Sequence, residues 1–231
     1  MGNESEEENR FLDTLPFDLT NAQKRSWEQI RNDLTDVKPM RRLLQGDVGS
    51  GKTLIAALSA LHAYSNKWQT ALLCPTEILA EQHFNSFQAW FNELGLKTEL
   101  LTGSTKAKER KLIVKELSLG EIDILIGTHA IFQSGVEFKR LGLTIIDEQH
   151  RFGVHQRFSM LEKGGKQNSS PHQLIMTATP IPRTLAMTVY GSLETSVIDE
   201  LPPGRNPVQT SSRPDSLSCL LYTSPSPRDL S

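Results

Sequence analysis

Short apolar runs rich in Val, Ile and Leu recur along the chain at 42–45, 71–74, 98–101, 122–126, 143–146 and 173–176. Stretches with the 3.6-residue period of helices separate them at 52–64, 77–91, 106–119 and 182–189. Run and helix alternating at this spacing predict an α/β fold, in which right-handed crossovers build a mainly parallel sheet with helices on both faces. The two ends break the pattern. Met1 to Arg10 carries four Glu and one Arg and almost nothing apolar, so residues 1–14 are expected to be an acidic, solvated lead-in. Residues 210–231 hold seven Ser and three Pro among 22 residues with neither period, and their CLLYTSPSPRD (219–229) resembles the translation of a sequencing-library adapter. That tail is expected to lie outside the fold, which leaves 15–209 as one domain.

Composition narrows the chemistry. Of 231 residues 37% are hydrophobic, enough for a sizeable core. The net charge of −2 excludes a uniformly basic surface, so any nucleic-acid binding must be local. One local exception is Lys106 to Lys115, with five basic residues and one Glu, which reads as a solvated helix face or a patch that attracts phosphate. Phe84, Phe87, Trp90 and Phe91 have helical spacing and are expected to form a buried helix face rather than a base-stacking platform. Cys74 and Cys219, with no CxxC and no His at ligand spacing, argue against a disulfide framework or zinc site and for a reducing, cytoplasmic setting. No apolar run approaches the roughly 18 residues of a membrane span, so no membrane partner is expected.

GDVGSGKT, Gly46 to Thr53, satisfies G-x-x-x-x-G-K-[ST] and falls between a predicted strand and a predicted helix, where a phosphate loop must lie. The glycines let the backbone of Gly46, Asp47, Val48, Gly49, Ser50 and Gly51 curl so that its N–H groups converge on phosphate oxygens, helped by the positive end of the helix dipole. Lys52 is then expected to reach the β and γ phosphates of ATP, and Thr53 to ligate Mg²⁺. At the end of the run 143–146 come two carboxylates, Asp147 and Glu148. Strand C-termini of a parallel sheet face the ligand crevice, so Asp147 is expected to hold Mg²⁺ and Glu148 to orient the attacking water. An N-cap and first-turn acid is the alternative reading of the same pair.

The string of motifs resembles the first RecA-like motor lobe of superfamily 2 helicases, and among them the RecG type that acts on branched DNA. FDLTNAQ (17–23), GDVGSGKT, PTEILAEQH (75–83), LTGS (101–104), IGTHAIF (126–132), DEQHRFGVHQR (147–157) and TATPIPRTLAMT (177–188) follow in that family's order, and the likeness covers about 15–209. The transcription-repair coupling translocases share HRFG and TATPIPRTL; DEQHRFGVHQR and ELPPGR (200–205) favour the RecG type. A nucleotide-dependent binding switch is the alternative of another class, against which TAT and PTEILAEQH count; an RNA-dependent ATPase of the same superfamily is a further alternative, against which DEQH in place of the usual DEAD counts.

The resemblance implies an ATP-driven DNA helicase that remodels forks and junctions in repair and recombination, bacterial and cytoplasmic, acting as a monomer. It also implies a second RecA-like lobe with an arginine finger and an N-terminal wedge elsewhere in the same protein. By the same resemblance Gln23 reads adenine and Phe17 stacks on it, although Thr20-x-x-Gln23 is also a capping box and Phe17 also suits a helix-entry staple. Pro75, Thr76, Glu77, Thr102, Gly103, Ser104, Gly127, Thr128 and His129 are implied to hold DNA by its backbone phosphates, without sequence preference. His150, Thr177, Ala178 and Thr179 are implied to couple nucleotide state to the strand.

Overall fold

The computed structural model describes residues 6–147, 170–179 and 193–200. Seven strands form one sheet: β1 Arg41–Gly46, β2 Gln69–Leu73, β3 Thr98–Leu101, β4 Ile124–Gly127, β5 Leu141–Asp147, β6 His172–Thr177 and β7 Glu194–Ile198. Their order is β3-β4-β2-β5-β6-β1-β7, and every adjacent pair is parallel. The helices are α1 Glu6–Thr14, α2 Asn21–Thr35, α3 Lys52–Ser65, α4 Glu77–Phe91 and α5 Ala107–Leu119. Six of these strands coincide with the predicted runs to within a few residues. β7 is absent from the sequence reading, and its alternating exposure marks a half-covered edge strand too weakly apolar to register.

Because a strand turns successive side chains to opposite faces, each buried strand feeds two cores. Leu44, Leu72, Ile124, Ile126, Ile145, Leu174 and Met176 pack with α1, α2, α3 and α4, whereas Leu43, Ala71, Leu73, Leu125, Ile146 and Ile175 pack with α5 and the segment 130–136. Helices thus cover both faces, as expected. α3 is buried nearly all round, from Leu54 to Ala63. Beneath the phosphate loop, Arg42 Nε donates to Asp33 Oδ2 at 2.7 Å and Nη1 to Ser196 Oγ at 2.9 Å, while Ser196 Oγ donates to Gln29 Oε1 at 2.6 Å. This chain of bonds ties α2 to β1 and to the edge strand β7.

The acidic lead-in is the expectation the structure corrects. Over Glu6–Thr14 it is a helix packed on α3 and α4, with Phe11 fully buried against Trp90 and Phe91 at ring distances of 6.0 and 5.6 Å. Glu8 is buried too, its Oε1 2.6 Å from His62 Nδ1 on α3. Charge density misled because only one face of nine residues carries the apolar contact, and the buried carboxylate has its partner 54 residues away. The four aromatics of α4 do form a buried helix face: Phe87 and Phe91 are fully buried, and Phe84 and Trp90 pack partly buried against them. The predicted helix at 182–189 lies outside the described residues.

Two measurements check these contacts. Phe11→Ala should cost about 3 to 5 kcal/mol in urea denaturation, the range for emptying a buried aromatic site; a change under about 0.5 kcal/mol would restore the solvated lead-in. His172 Nδ1 accepts the Met40 N–H at 3.0 Å, and burial, partly offset by Asp33 and Asp36, lowers its pKa to about 4. Between about pH 4 and pH 6.5 the unfolded chain therefore binds a proton that the folded chain refuses. The stability present above pH 6.5 should fall as pH drops towards 4, by about 2 to 3 kcal/mol from this residue. His172→Asn, whose amide oxygen can accept the same N–H without titrating, should flatten that slope when denaturation midpoints at pH 5 and pH 7 are compared.

Candidate nucleotide and nucleic-acid site

All seven strands point the same way, so their C-terminal ends line one edge of the sheet, and the loops that leave them are neighbours regardless of sequence distance. The phosphate loop follows β1. Gly49 and Gly51 adopt left-handed backbone, at φ 75° and 94°. Gly51 is the N-cap of α3 and supplies no side-chain cap, so the opening amides of α3 are left for an external acceptor. A Cβ at Gly51 would also run into the Gln23 carboxamide. Asp47 Oδ1 accepts the Val48 N–H at 2.7 Å and Asp47 O the Ser50 N–H at 3.1 Å, which holds the turn. Lys52 Nζ donates to the carbonyls of Gly46 and Asp47 at 2.7 and 2.9 Å, closing the loop on itself. Among the described residues Ser50 Oγ is buried without a hydrogen-bond partner, and it packs towards Gly46, so its hydroxyl faces the protein.

Gln23 performs both bonds of the capping box: its N–H donates to Thr20 Oγ1 at 3.2 Å and its Oε1 accepts the Thr20 N–H at 2.9 Å. Its Nε2 donates to Ser50 O at 2.8 Å, and the residue is only 2% exposed. The side chain therefore pins the start of α2 to the phosphate loop. Phe17 stays 49% exposed beside this entrance, while Leu15 and Leu19 pack against the core.

Five other strand ends share the edge. β5 ends on Asp147, whose Oδ2 lies 2.9 Å from His83 Nε2 on α4. Glu148 and His150 lie outside the described residues. After β2, Thr76 caps α4 by accepting the Leu79 N–H at 3.3 Å. Glu77 accepts from Ser104 twice, its Oε1 from the backbone N–H at 3.2 Å and its Oε2 from the hydroxyl at 3.0 Å. Its carboxylate is committed to bracing the loop after β3, and its charge would repel a phosphate rather than hold one. Thr102 and Ser104 hydroxyls bond each other at 2.8 Å. Gly127 sits so close to Leu101 O that any Cβ would collide with it, and Cys74 N–H donates to Gly127 O at 2.9 Å. These bonds bring the loops carrying Pro75, Gly103 and Thr128 side by side; Thr128 Oγ1 is buried with no partner among the described residues, and His129 is exposed. After β6, the Thr177 and Thr179 hydroxyls bond at 2.9 Å, and Gln45 Nε2 donates to Thr179 O at 3.4 Å, so the loop 177–179 docks beside the phosphate loop.

An Asp147 carboxylate and a Thr53 hydroxyl at this edge are hard oxygen donors, and no group of three or more His, Cys, Asp or Glu able to hold a metal is found among the described residues. That donor set suits a cation that takes its remaining ligands from phosphate and water, as Mg²⁺ does. Burial, then the Asp147 charge, push the Cys74 thiol well above its usual range, so this buried cysteine is an inert neighbour of the carboxylate. Sequence reasoning missed His83 and the double use of Gln23, because both depend on partners far away in the chain.

The comparisons with known proteins agree with this architecture. ATP-dependent DNA helicase RecG of Haemophilus influenzae is 60% identical over 201 residues, covering 87% of this chain and 29% of the relative. RecG of Escherichia coli strain K12 is 57% identical over 207 residues, covering 90% of this chain and 30% of the relative. A solved structure of RecG bound to a three-way DNA junction superposes with a TM-score of 0.84 at 44% identity, over 95% of this chain and 29% of that one. The helicase MrfA bound to DNA, at 20% identity and a TM-score of 0.67, shares the fold. The chain thus spans about three tenths of the length of these RecG proteins, and no helix among its described residues is long and apolar enough to cross a membrane. The sequence model of the DEAD/DEAH box helicases matches residues 20–188, which covers the phosphate loop and Asp147, and the chain belongs to that family.

Proposed function

We propose that this chain is the ATP-binding, RecA-like lobe of a RecG-type DNA helicase that remodels replication forks and recombination junctions. The observation that carries it is the single edge at which a G-x-x-x-x-G-K-T loop, an Asp147 carboxylate and three hydroxyl- and glycine-bearing loops converge, in a chain 57–60% identical to RecG relatives.

ATP would lie on the phosphate loop, with amides of Gly49, Gly51 and Thr53 donating to its phosphates. Lys52 would exchange the carbonyls of Gly46 and Asp47 for β- and γ-phosphate oxygens by a rotation of its own side chain. Thr53 and Asp147 would hold Mg²⁺, which when bound would offset the negative charge of the phosphates. Glu148, one residue past the end of β5, would orient and deprotonate the attacking water. With Gln23 already bonded to Thr20 and Ser50, adenine recognition through it requires one of those bonds to be exchanged, and the exposed Phe17 is the more accessible stacking surface. Thr76, Thr102, Gly103, Gly127, Thr128 and His129 would hold a DNA strand by its phosphates, and Thr177 to Thr179, with His150, would link that strand to the nucleotide. The charge that develops on the γ phosphate would be completed by an arginine from a second lobe of the same protein, a contribution of about 10³ to 10⁵ in rate.

In the intact parent protein, Lys52→Ala should weaken Mg²⁺-ADP binding by about tenfold to a hundredfold in calorimetry, the usual cost of a charge-assisted phosphate contact. Glu148→Gln should leave that affinity in place and abolish turnover; equal affinity in the first variant or unchanged ATPase in the second would remove that residue from the mechanism. The branched-DNA assignment is tested by phosphate release from the same protein with a three-way junction, a linear duplex or an RNA duplex. Stimulation should follow that order. Equal stimulation by linear duplex would favour the transcription-repair coupling type of translocase, and preference for RNA would overturn the DNA reading.

A further inference from the structure

Asp147 does not face the phosphate loop alone. Its Oδ2 lies 2.9 Å from His83 Nε2, both side chains are largely buried, at 13% and 9% exposed, and the imidazole is wedged edge-on against Phe87 at 6.5 Å and 88°. Among the described residues Oδ1 has no hydrogen-bond partner. An ionised carboxylate can only accept, so the Nε2 position must carry the proton and donate it. One carboxylate oxygen is thereby fixed and the other kept for a cation. Hydrogen bonds of this kind to a ligating carboxylate are worth about 10- to 100-fold in metal affinity or activity.

The position of His83 adds a second consequence. It stands seven residues after Thr76, two turns along α4, or roughly 10 Å along the axis. Thr76 caps the end of α4 that meets the loops after β3 and β4, and Glu77 locks that end to Ser104. α4 is therefore a stiff rod with the nucleic-acid edge at its first turn and the Asp147 carboxylate at its second to third. Phe87 and Phe91, fully buried beyond His83, hold its far half to the core.

We propose that His83 is a positioning residue for Asp147, and that through α4 it makes the metal-holding carboxylate sensitive to a DNA strand gripped at Thr76. The proposal rests on the reading of Asp147 as an Mg²⁺ ligand given above. Two variants of the intact helicase separate the donor from the packing: His83→Phe keeps a ring against Phe87 and removes the N–H, whereas His83→Gln keeps an amide N–H close to the place of Nε2. ADP affinity is measured by calorimetry over a range of Mg²⁺ concentrations and in EDTA, and DNA-stimulated ATPase with a forked DNA.

His83→Phe should bind ADP in EDTA as the wild type does, which reports an intact lobe. It should require about 10- to 100-fold more Mg²⁺ for the same Mg²⁺-dependent gain in affinity, and should lose most of the stimulation by DNA while its affinity for the fork is unchanged. His83→Gln should recover most of both. Wild-type Mg²⁺ dependence in His83→Phe overturns the proposal, as does an equal defect in both variants, which would make His83 a packing residue only. A normal Mg²⁺ requirement in the Asp147→Asn variant would instead sink the assignment of the carboxylate as metal ligand, and with it the proposal, so the two failures are told apart.

Discussion

The site depends on the common direction of the strands. Seven parallel strands put seven C-terminal ends on one edge, the edge at which a parallel sheet opens its ligand crevice. Loops separated by up to about 130 residues, from Gly46 to Thr177, are brought side by side for that reason alone. An antiparallel arrangement would send alternate loops to the opposite edge and divide the site. The price in folding is the burial of both faces, which explains why β2 and β4 are buried throughout and why α3 has almost no exposed side.

On that edge the loops are held by one another as well as by their own turns. Gln23 reaches from the start of α2 to Ser50, Gln45 from β1 to Thr179, Glu77 from α4 to Ser104, Cys74 to Gly127 and His83 to Asp147. Each bond joins elements that are distant in sequence, so the phosphate loop, the acidic strand end and the hydroxyl loops cannot shift independently. In the helicase function proposed above, such linkage lets occupancy of one loop be felt at the next. It also accounts for the tight glycines: Gly127 lets β4 pass close to Leu101, and Gly51 leaves space for Gln23.

Behind the edge, α3 is buried from Leu54 to Ala63, and α1 braces it through Phe11 and through the Glu8–His62 pair. A buried carboxylate–imidazole pair contributes little net stability but is costly to break, since either partner left alone is an uncompensated buried polar group. Its value here is placement. It sets the register of α1 along α3, the helix that opens with Lys52.

Much of the architecture was legible in the chain itself, because burial is written in local periodicity. The runs at 42–45, 71–74, 98–101, 122–126, 143–146 and 173–176 became β1 to β6, and the helices at 52–64, 77–91 and 106–119 became α3, α4 and α5 with nearly the same limits. The phosphate loop was legible for a related reason: its chemistry needs glycines, a lysine and a threonine at fixed short spacing. What the tertiary structure alone decided is who meets whom. The burial of α1, the pairing of the weakly apolar β7 with β1, the commitment of Glu77 to Ser104 and the hold of His83 on Asp147 each join residues 27 to 154 positions apart. A periodic pattern states that a side chain is buried. It carries no record of the partner, which is fixed only when strand order and helix packing bring the two surfaces together.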